Sequence, residues 1–349
     1  MSDQIISKVT GNLGHIILNR PKALNALTTE MCEVITERLV EWERDENIGA
    51  VLVEGAGDRA FSAGGDVIML HDSGKEDGKD AEHFWRVEYA LNELIQRYAK
   101  PYVTLIDGII MGGGVGLSVH GQYRVAGDDT LFAMPETGIG YFPDVGGTYF
   151  LPRLGLSVGA WLGLTGARIK TADVCALGIA TDYMPSDKHA EFVEALGKTK
   201  LDGTSDTFEK FMFRFTKKAP RAEDMPAEMS LFNAETVEQI LIGLDEVQTE
   251  WAAKQAKTIR SKSPLASVVT LEALRRGMAM TFREAMSMEL DVSLNFLATQ
   301  DFYEGIRAQL IDKDRKPGWS HDGVEKVTDA QLKRLFKNTA KPPLKFLGE

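Results

Sequence analysis

Hydrophobic and polar positions follow one rhythm up to about residue 185 and another beyond it. In the first part, short apolar runs alternate with longer amphipathic ones. "HIILN" (15–19) and "AVLVEGA" (50–56) are predicted strands. Between them, "TTEMCEVITERLVEWERD" (28–45) repeats its apolar positions at helical spacing, with Thr28 or Thr29 placed to cap its start. "AEHFWRVEYALNELIQRYA" (81–99) is a second amphipathic helix. "PYVTLIDGII" (101–110) reads as one strand running into a glycine-rich turn, and "VGLSVHG" as a short buried helix. "YRVAG" and "LFAM" are short strands. Strands alternating with helices predict an α/β fold with a largely parallel sheet.

Beyond residue 186 the strand signals nearly vanish. "HAEFVEALGK", "SDTFEKFMFRFTKK", "TVEQILIGLDEVQTEWAAKQAKTIRS" and "SVVTLEALRRGMAMTFREAMSMELDVSLNFLATQ" are helical, and "KKAPRAEDMPAE" (217–228) is a polar loop. The tail "KNTAKPPLKFLGE" is predicted to be extended or mobile. Residues 1–185 therefore form the expected α/β core with the chemistry, and residues 186–349 a helical C-terminal region.

Composition narrows the function classes. The 349 residues carry 40 basic and 51 acidic side chains, a formal net charge of −11. Nothing in this balance suggests a nucleic-acid binder, which usually needs a basic face. The two cysteines, Cys32 and Cys175, are too few for a disulfide framework. The start, "MSDQIISKVTG", has no apolar signal core, and the stretch 103–119 is too short to span a bilayer and carries Asp107. These features predict a cytoplasmic protein without a membrane partner. The six histidines show no HxH or HExxH spacing, so no metal site is expected.

Four stretches are candidates for chemistry. "FSAGGDV" (61–67) and "MGGGVGLSVHG" (111–121) are glycine-rich turns that let backbone N–H groups approach a ligand. In the second, three consecutive glycines precede a helix, which suits an anion or a developing oxyanion. "GLSVG" (155–159) matches G-x-S-x-G and nominates Ser157 as a hydrolase nucleophile, with His189 and His321 downstream. The strand that such an elbow needs is interrupted by Pro152 and Arg153, and Ser157 reads better as a helix cap. "MPETGIGYFPDVGG" (134–147) holds Glu136 and Asp144. Separately they read as a loop acid and a helix cap. Beside two N–H donor turns they read as the acid–base half of an acyl-transfer site.

"NRPKALNAL" (19–27), "FSAGGDV", "MGGGVGLSVHG" and "MPETGIG", in this order, resemble the crotonase (enoyl-CoA hydratase/isomerase) superfamily over residues 5–185. The resemblance implies a crotonase-like spiral of ββα units with a helical C-terminal region, a homo-oligomer as one possible state, and an acyl-CoA substrate. CoA would enter as part of that substrate, and no further cofactor is implied. Carried over, the Gly65 and Gly113 N–H groups form the oxyanion hole. Lys22, Ala23 and Leu24, with Ala63 and Asp66, face the CoA nucleotide. Lys313, Arg315 and Lys316 are further candidates for its phosphates. "FPDVGGTYFLPRL", "SKSPLASVVTLEALRRG", "DFYEGIRAQLIDKDRKPGW" and "FWRVEYALN" extend the resemblance to the branch that hydrolyses 3-hydroxyacyl-CoA thioesters. There Glu88 matches a substrate-contacting glutamate. Hydratases of the superfamily use two glutamates; here the first position is Gly116, the second is Glu136, and Asp144 is additional. The implied activity is hydrolysis of 3-hydroxyisobutyryl-CoA, or a close short 3-hydroxyacyl-CoA, in valine breakdown. An enoyl-CoA hydratase or isomerase, and a silent acyl-CoA binding protein, are the alternatives.

Overall fold

The computed structural model describes residues 3–348. Ten strands are present among them: β1 (Ile5–Thr10), β2 (Leu13–Leu18), β3 (Ala50–Gly55), β4 (Ala60–Ser62), β5 (Tyr102–Leu105), β6 (Ile109–Met111), β7 (Tyr123–Ala126), β8 (Leu131–Ala133), β9 (Ile169–Lys170) and β10 (Asp182–Tyr183). They form a six-stranded sheet, β1-β2-β3-β5-β7-β10, and a four-stranded sheet, β4-β6-β8-β9. All neighbours are parallel except β1 with β2 and β8 with β9.

The connectivity explains the two sheets. The chain leaves the larger sheet at the ends of β3, β5 and β7 and enters the smaller one at β4, β6 and β8. Helices then carry it back: α1 (Thr29–Arg44) before β3, α2 (Val67–Lys75) and α3 (Lys79–Gln96) after β4, and α4 (Gly113–Ser118) after β6. This is the expected spiral of ββα turns. Thr28 caps α1, its Oγ1 accepting from the Met31 N–H at 3.3 Å, and Met31, Cys32, Ile35, Leu39 and Trp42 turn the helix's apolar stripe inward.

Several expectations need correction. The run 101–110 is two strands in two sheets, because Gly108 adopts φ +74° while Asp107 Oδ1 accepts from its N–H and from that of Asp129. This left-handed step is open to glycine and redirects the chain. β1 was hidden because Ile5 alone is buried and its solvent-facing positions mix Ile6 and Val9 with Lys8 and Thr10, which breaks the alternation of a strand. The long helical runs are each divided. Gln248, at φ +55°, ends one helix before Thr249 caps the next. A Thr281–Glu284 capping box restarts the chain between the helices Pro264–Gly277 and Phe282–Phe296. The tail is anchored rather than mobile: Ala340, Leu344 and Phe346 are buried, and Arg86 of α3 donates to the Pro342 carbonyl at 2.7 Å. Ser157 caps nothing; the helix Leu156–Thr165 starts before it, at Gly155.

The main core runs through both parts of the chain. Phe84, Trp85 and Tyr89 of α3 belong to the same packed cluster as Leu274, Phe282, Leu290, Phe296 and Phe302. Each such fully buried side chain contributes on the order of 1.5–3 kcal/mol. The seam is tight at Gly277, where a Cβ would collide with the Thr148 carbonyl oxygen. Gly277→Ala is therefore expected to destabilise the protein by about 1–3 kcal/mol through overpacking. Thermal unfolding measures this, and an unchanged midpoint would mean that the helix slides freely over the Thr148 loop.

Candidate active site

The three short parallel strands of the smaller sheet fix the site. Gly65 lies just beyond β4, Gly112 and Gly113 just beyond β6, and Glu136 just beyond β8. Ligands in open α/β sheets bind beyond the carboxyl ends of strands, and here three adjacent strand ends supply one cluster. A cavity of about 230 Å³ opens between them, lined by Ala63, Gly65, Glu88, Gly113, Glu136 and Asp144 among others.

The glycines are required by close approach. Gly64 takes φ +121° and Gly112 φ +46°, and a Cβ on Gly112 would stand 3.2 Å from the Gly64 Cα. A Cβ on Gly113 would stand 2.5 Å from Glu88 Oε1 and 3.3 Å from the Gly65 nitrogen. Gly65 is held by a bridge to Leu27, in which Leu27 N–H donates to Gly64 O at 2.8 Å and Asp66 N–H to Leu27 O at 2.9 Å. Among the described residues, neither the Gly65 nor the Gly113 N–H meets a protein acceptor. Gly113 opens α4, where first-turn amides have no partner within a helix.

Four carboxylates converge on this region. Glu88 is only 2 % exposed, Glu136 6 %, Asp144 7 % and Glu289 fully buried. Among the described residues Glu88 Oε1 and Glu136 Oε2 have no hydrogen-bond partner. Burial pushes both acids well above the usual carboxylate range, and the charge of Asp144 pushes them further; Lys262, whose Nζ lies close to Gly138, pulls Glu136 slightly back. Asp144 differs. Its Oδ2 accepts from Tyr89 Oη at 2.7 Å and from Tyr141 Oη at 3.3 Å. Burial raises it only to about 6, because those hydroxyls favour its charged form.

The helix-cap reading of Asp144 is overturned. The short helix Gly147–Phe150 is entered through Gly146, and its N–H groups are met from far along the chain. Glu289 accepts from Gly146 N–H at 2.7 Å, Thr148 N–H at 3.0 Å and Thr148 Oγ1 at 2.5 Å. Despite these donors, burial pushes Glu289 up to about 8. Between Asp144 and Gly146, Val145 adopts φ +51°. A left-handed β-branched residue costs roughly 1–2 kcal/mol and persists where its surroundings over-determine it. Here His120, kept neutral by burial at a pKa of about 4, donates from Nε2 to the Val145 carbonyl at 2.7 Å.

Of the remaining nominated residues, Ala63 N–H donates to Leu24 O at 2.9 Å, which ties the Lys22–Leu24 turn to the cavity wall. Lys22, Ala23, Leu24 and Asp66 do not line the cavity themselves. Asp66 caps α2 and pairs with Arg20 at 3.4 Å. Lys313 and Arg315 take φ +58° and +57° in a turn clamped by Arg307 to Glu304, Asp312 and Asp314. Tyr89, Tyr141, Glu289 and Ser293 were missed. The available signal lay in "FREAMSMELDVSLNF" (282–296), where an acid and a hydroxyl fall on the apolar stripe with Phe282, Met286, Leu290 and Phe296.

Residues 13–336 match the model of the enoyl-CoA hydratase/isomerase family. A protein of Xenopus laevis is 44% identical over 343 residues, covering 96% of this chain and 89% of the relative. A protein of Homo sapiens is 42% identical over 352 residues, covering 99% and 91%. Both are named 3-hydroxyisobutyryl-CoA hydrolase, mitochondrial. Among solved structures, a carnitinyl-CoA dehydratase from Mycobacterium thermoresistibile is 39% identical, with a TM-score of 0.92 and 100% of both chains covered. An enoyl-CoA hydratase from Rhodobacter sphaeroides 2.4.1 is 35% identical, with a TM-score of 0.86, covering 99% and 100%. The expectation of a cytoplasmic protein does not stand, because these hydrolase relatives are named as mitochondrial. Match, fold and site together make this chain a member of the enoyl-CoA hydratase/isomerase (crotonase) family.

Proposed function

We propose that the protein hydrolyses 3-hydroxyisobutyryl-CoA, or a close short 3-hydroxyacyl-CoA, to the free acid and CoA, as a step of valine breakdown. The observation that carries this is the pairing of Glu136 and Asp144 in one cavity with position 116 closed. A Cβ on Gly116 would stand 2.8 Å from Val145 Cβ and 2.9 Å from Asn92 Nδ2, so a glutamate there has no room. Adding water across an alkene engages two carbons; hydrolysis attacks one carbonyl carbon. The names of the hydrolase relatives point the same way.

In this reading the Gly65 and Gly113 N–H groups receive the thioester oxygen as it gains charge. Glu136 meets the carbonyl carbon, as general base toward water or as nucleophile. Asp144 holds the water or substrate hydroxyl and returns a proton to the departing thiolate. Glu88 receives the 3-hydroxyl end of the acyl group, and the Lys22–Leu24 turn, Ala63 and Asp66 flank the nucleotide. The scheme calls on no metal or redox group. A second reading, hydration or dehydration, is favoured by the names of the two solved relatives, and the closed position 116 weighs against it.

Thiol release from 3-hydroxyisobutyryl-CoA, run beside hydration of crotonyl-CoA, separates the readings. Wild type should release CoA and hydrate little, and Asp144→Ala should lose release by about 10²–10⁴-fold; hydration without release would overturn the assignment. Gly113→Val puts a side chain against Glu88 Oε1 and between the two amides. It is expected to cost on the order of 10²–10³-fold in kcat, with the far-ultraviolet circular dichroism unchanged. Full activity would remove Gly113 from the site. Glu88→Gln should reduce the preference for 3-hydroxyacyl over plain acyl chains, measured as a ratio of kcat/KM values.

A further inference from the structure

Asp144 stands in a closed ring of hydroxyls drawn from three parts of the chain. Tyr89 Oη of α3 lies 2.7 Å from Asp144 Oδ2 and 2.9 Å from Ser293 Oγ. Tyr141 Oη lies 3.3 Å from Asp144 Oδ2 and 2.5 Å from the same Ser293 Oγ. Ser293, on the helix Phe282–Phe296, donates its own proton to the Glu289 carbonyl at 2.7 Å. A carbonyl only accepts, so the serine proton is committed there. The ring is left with two tyrosine protons for four oxygen–oxygen contacts. Asp144 and Ser293 therefore compete for the same two donors. The shorter Tyr141 contact goes to Ser293, and the shorter Tyr89 contact to Asp144.

We propose that Tyr89, Tyr141 and Ser293 are positioning residues that decide which carboxylate of the site carries the negative charge at rest, and that they assign it to Asp144. The inference rests on the thioesterase reading above and adds an order of proton movement to it. The groups that face Asp144 are Glu88 and Tyr89 from α3, Glu136 and Tyr141 from its own loop, Glu289 from the helix Phe282–Phe296, and neutral His120 through Val145. None is a cation. Among the described residues Glu88 Oε1 and Glu136 Oε2 meet no donor, and Glu136 has only its own backbone N–H and the Lys262 charge in its favour, whereas two hydroxyls converge on one oxygen of Asp144. Glu289 is engaged by its own three donors and does not line the cavity; among the three acids that do, a single negative charge settles on Asp144, where the hydroxyl donors are, and like-charge repulsion keeps the other two protonated.

The proton inventory then closes over a turnover. Glu136 starts protonated and Asp144 ionised. Within the cavity both line, Glu136 passes its proton to Asp144. Glu136 next takes a proton from water as the water oxygen bonds to the thioester carbon, and the carbonyl electron pair moves to the oxygen held by the two amides. When the tetrahedral species collapses, the carbon–sulfur bond breaks and the thiolate takes the proton from Asp144. The products are the carboxylic acid and the thiol, with Glu136 protonated and Asp144 ionised as at the start.

The competition predicts shifts of opposite sign. Removing the Tyr89 hydroxyl takes a donor from Asp144, so Tyr89→Phe should move its titration up by about one to two pH units. Removing the Ser293 hydroxyl frees both tyrosine protons for Asp144, so Ser293→Ala should move it down. Two readouts on the full-length protein test this: the acid limb of kcat/KM for thiol release, and the ¹³C carboxyl resonance of Asp144 in aspartate-labelled protein, assigned with Asp144→Asn. Opposite shifts in the resonance sustain the ring, and matching shifts of the acid limb sustain the proton order. Shifts of the same sign, or a titration unchanged in both variants, would overturn the inference and leave these hydroxyls with a packing role. The resonance is read without substrate, so failure of the thioesterase reading would show as absent thiol release while the ring was still tested.

Discussion

Four acids are buried together without a cation in contact with Asp144, and much of the surrounding structure answers that electrostatic problem. A buried isolated charge is costly in a low-dielectric interior, and two adjacent like charges cost more. The protein answers mainly with dipoles, Lys262 beside Glu136 being the cation that acts on the cluster. Backbone N–H groups at 146 and 148 meet Glu289, tyrosine hydroxyls meet Asp144, and burial pushes Glu88 and Glu136, each with one oxygen that no donor among the described residues meets, well above the usual carboxylate range. The glycine turns serve the same end from the other side, because a Cβ would crowd Gly113 against Glu88 and Gly65 against Phe84. Donors and acceptors thus face each other across a space of small-ligand size before any substrate arrives, a preorganised polar site in apolar walls.

The left-handed Val145 belongs to this arrangement. It reverses the chain between Asp144, which faces the cavity, and Gly146, which faces Glu289. The hydrogen bond from His120 and the bonds to Glu289 hold a backbone conformation that valine alone disfavours. The strain and the four-acid cluster are therefore two views of one loop.

How much of this was legible in the sequence depended on whether the cause was local. The α/β alternation, α1 with its Thr28 cap and the chemistry of the glycine turns follow from short-range rules, and Glu136, Asp144, Gly65, Gly113 and Glu88 could be nominated from their motifs. The division of 101–110 between two sheets turned on a single Asp–Gly pair inside an apolar run. Asp144 looked like a cap because Asp before a glycine-rich helix start commonly is one; its side chain is met instead by Tyr141 and by Tyr89, 55 residues before it, and both tyrosines are tied to Ser293 on the helix Phe282–Phe296. Glu289 and Ser293 were visible only as polar residues on an apolar stripe, and no local rule states what such residues meet. The tail was misjudged for the same reason: proline-rich and polar locally, it is fastened by Arg86 and by buried Leu344 and Phe346.

The anchoring of the Asp144 loop by the helix Phe282–Phe296 also bears on the order in which the protein is made. Synthesis runs from the N-terminus, and folding of early segments begins before the later ones exist. When the strands that carry Gly65, Gly113 and Glu136 have left the ribosome, the residues that satisfy Gly146, Thr148 and the two tyrosines are still to be translated. Until residue 293 is in place the nascent α/β part holds an acid cluster with unmet donors and an apolar flank on α3 that nothing covers. The helical half thus completes the four-acid cluster and covers α3, which makes the translation of that half an interval in which a chaperone has apolar surface to shield.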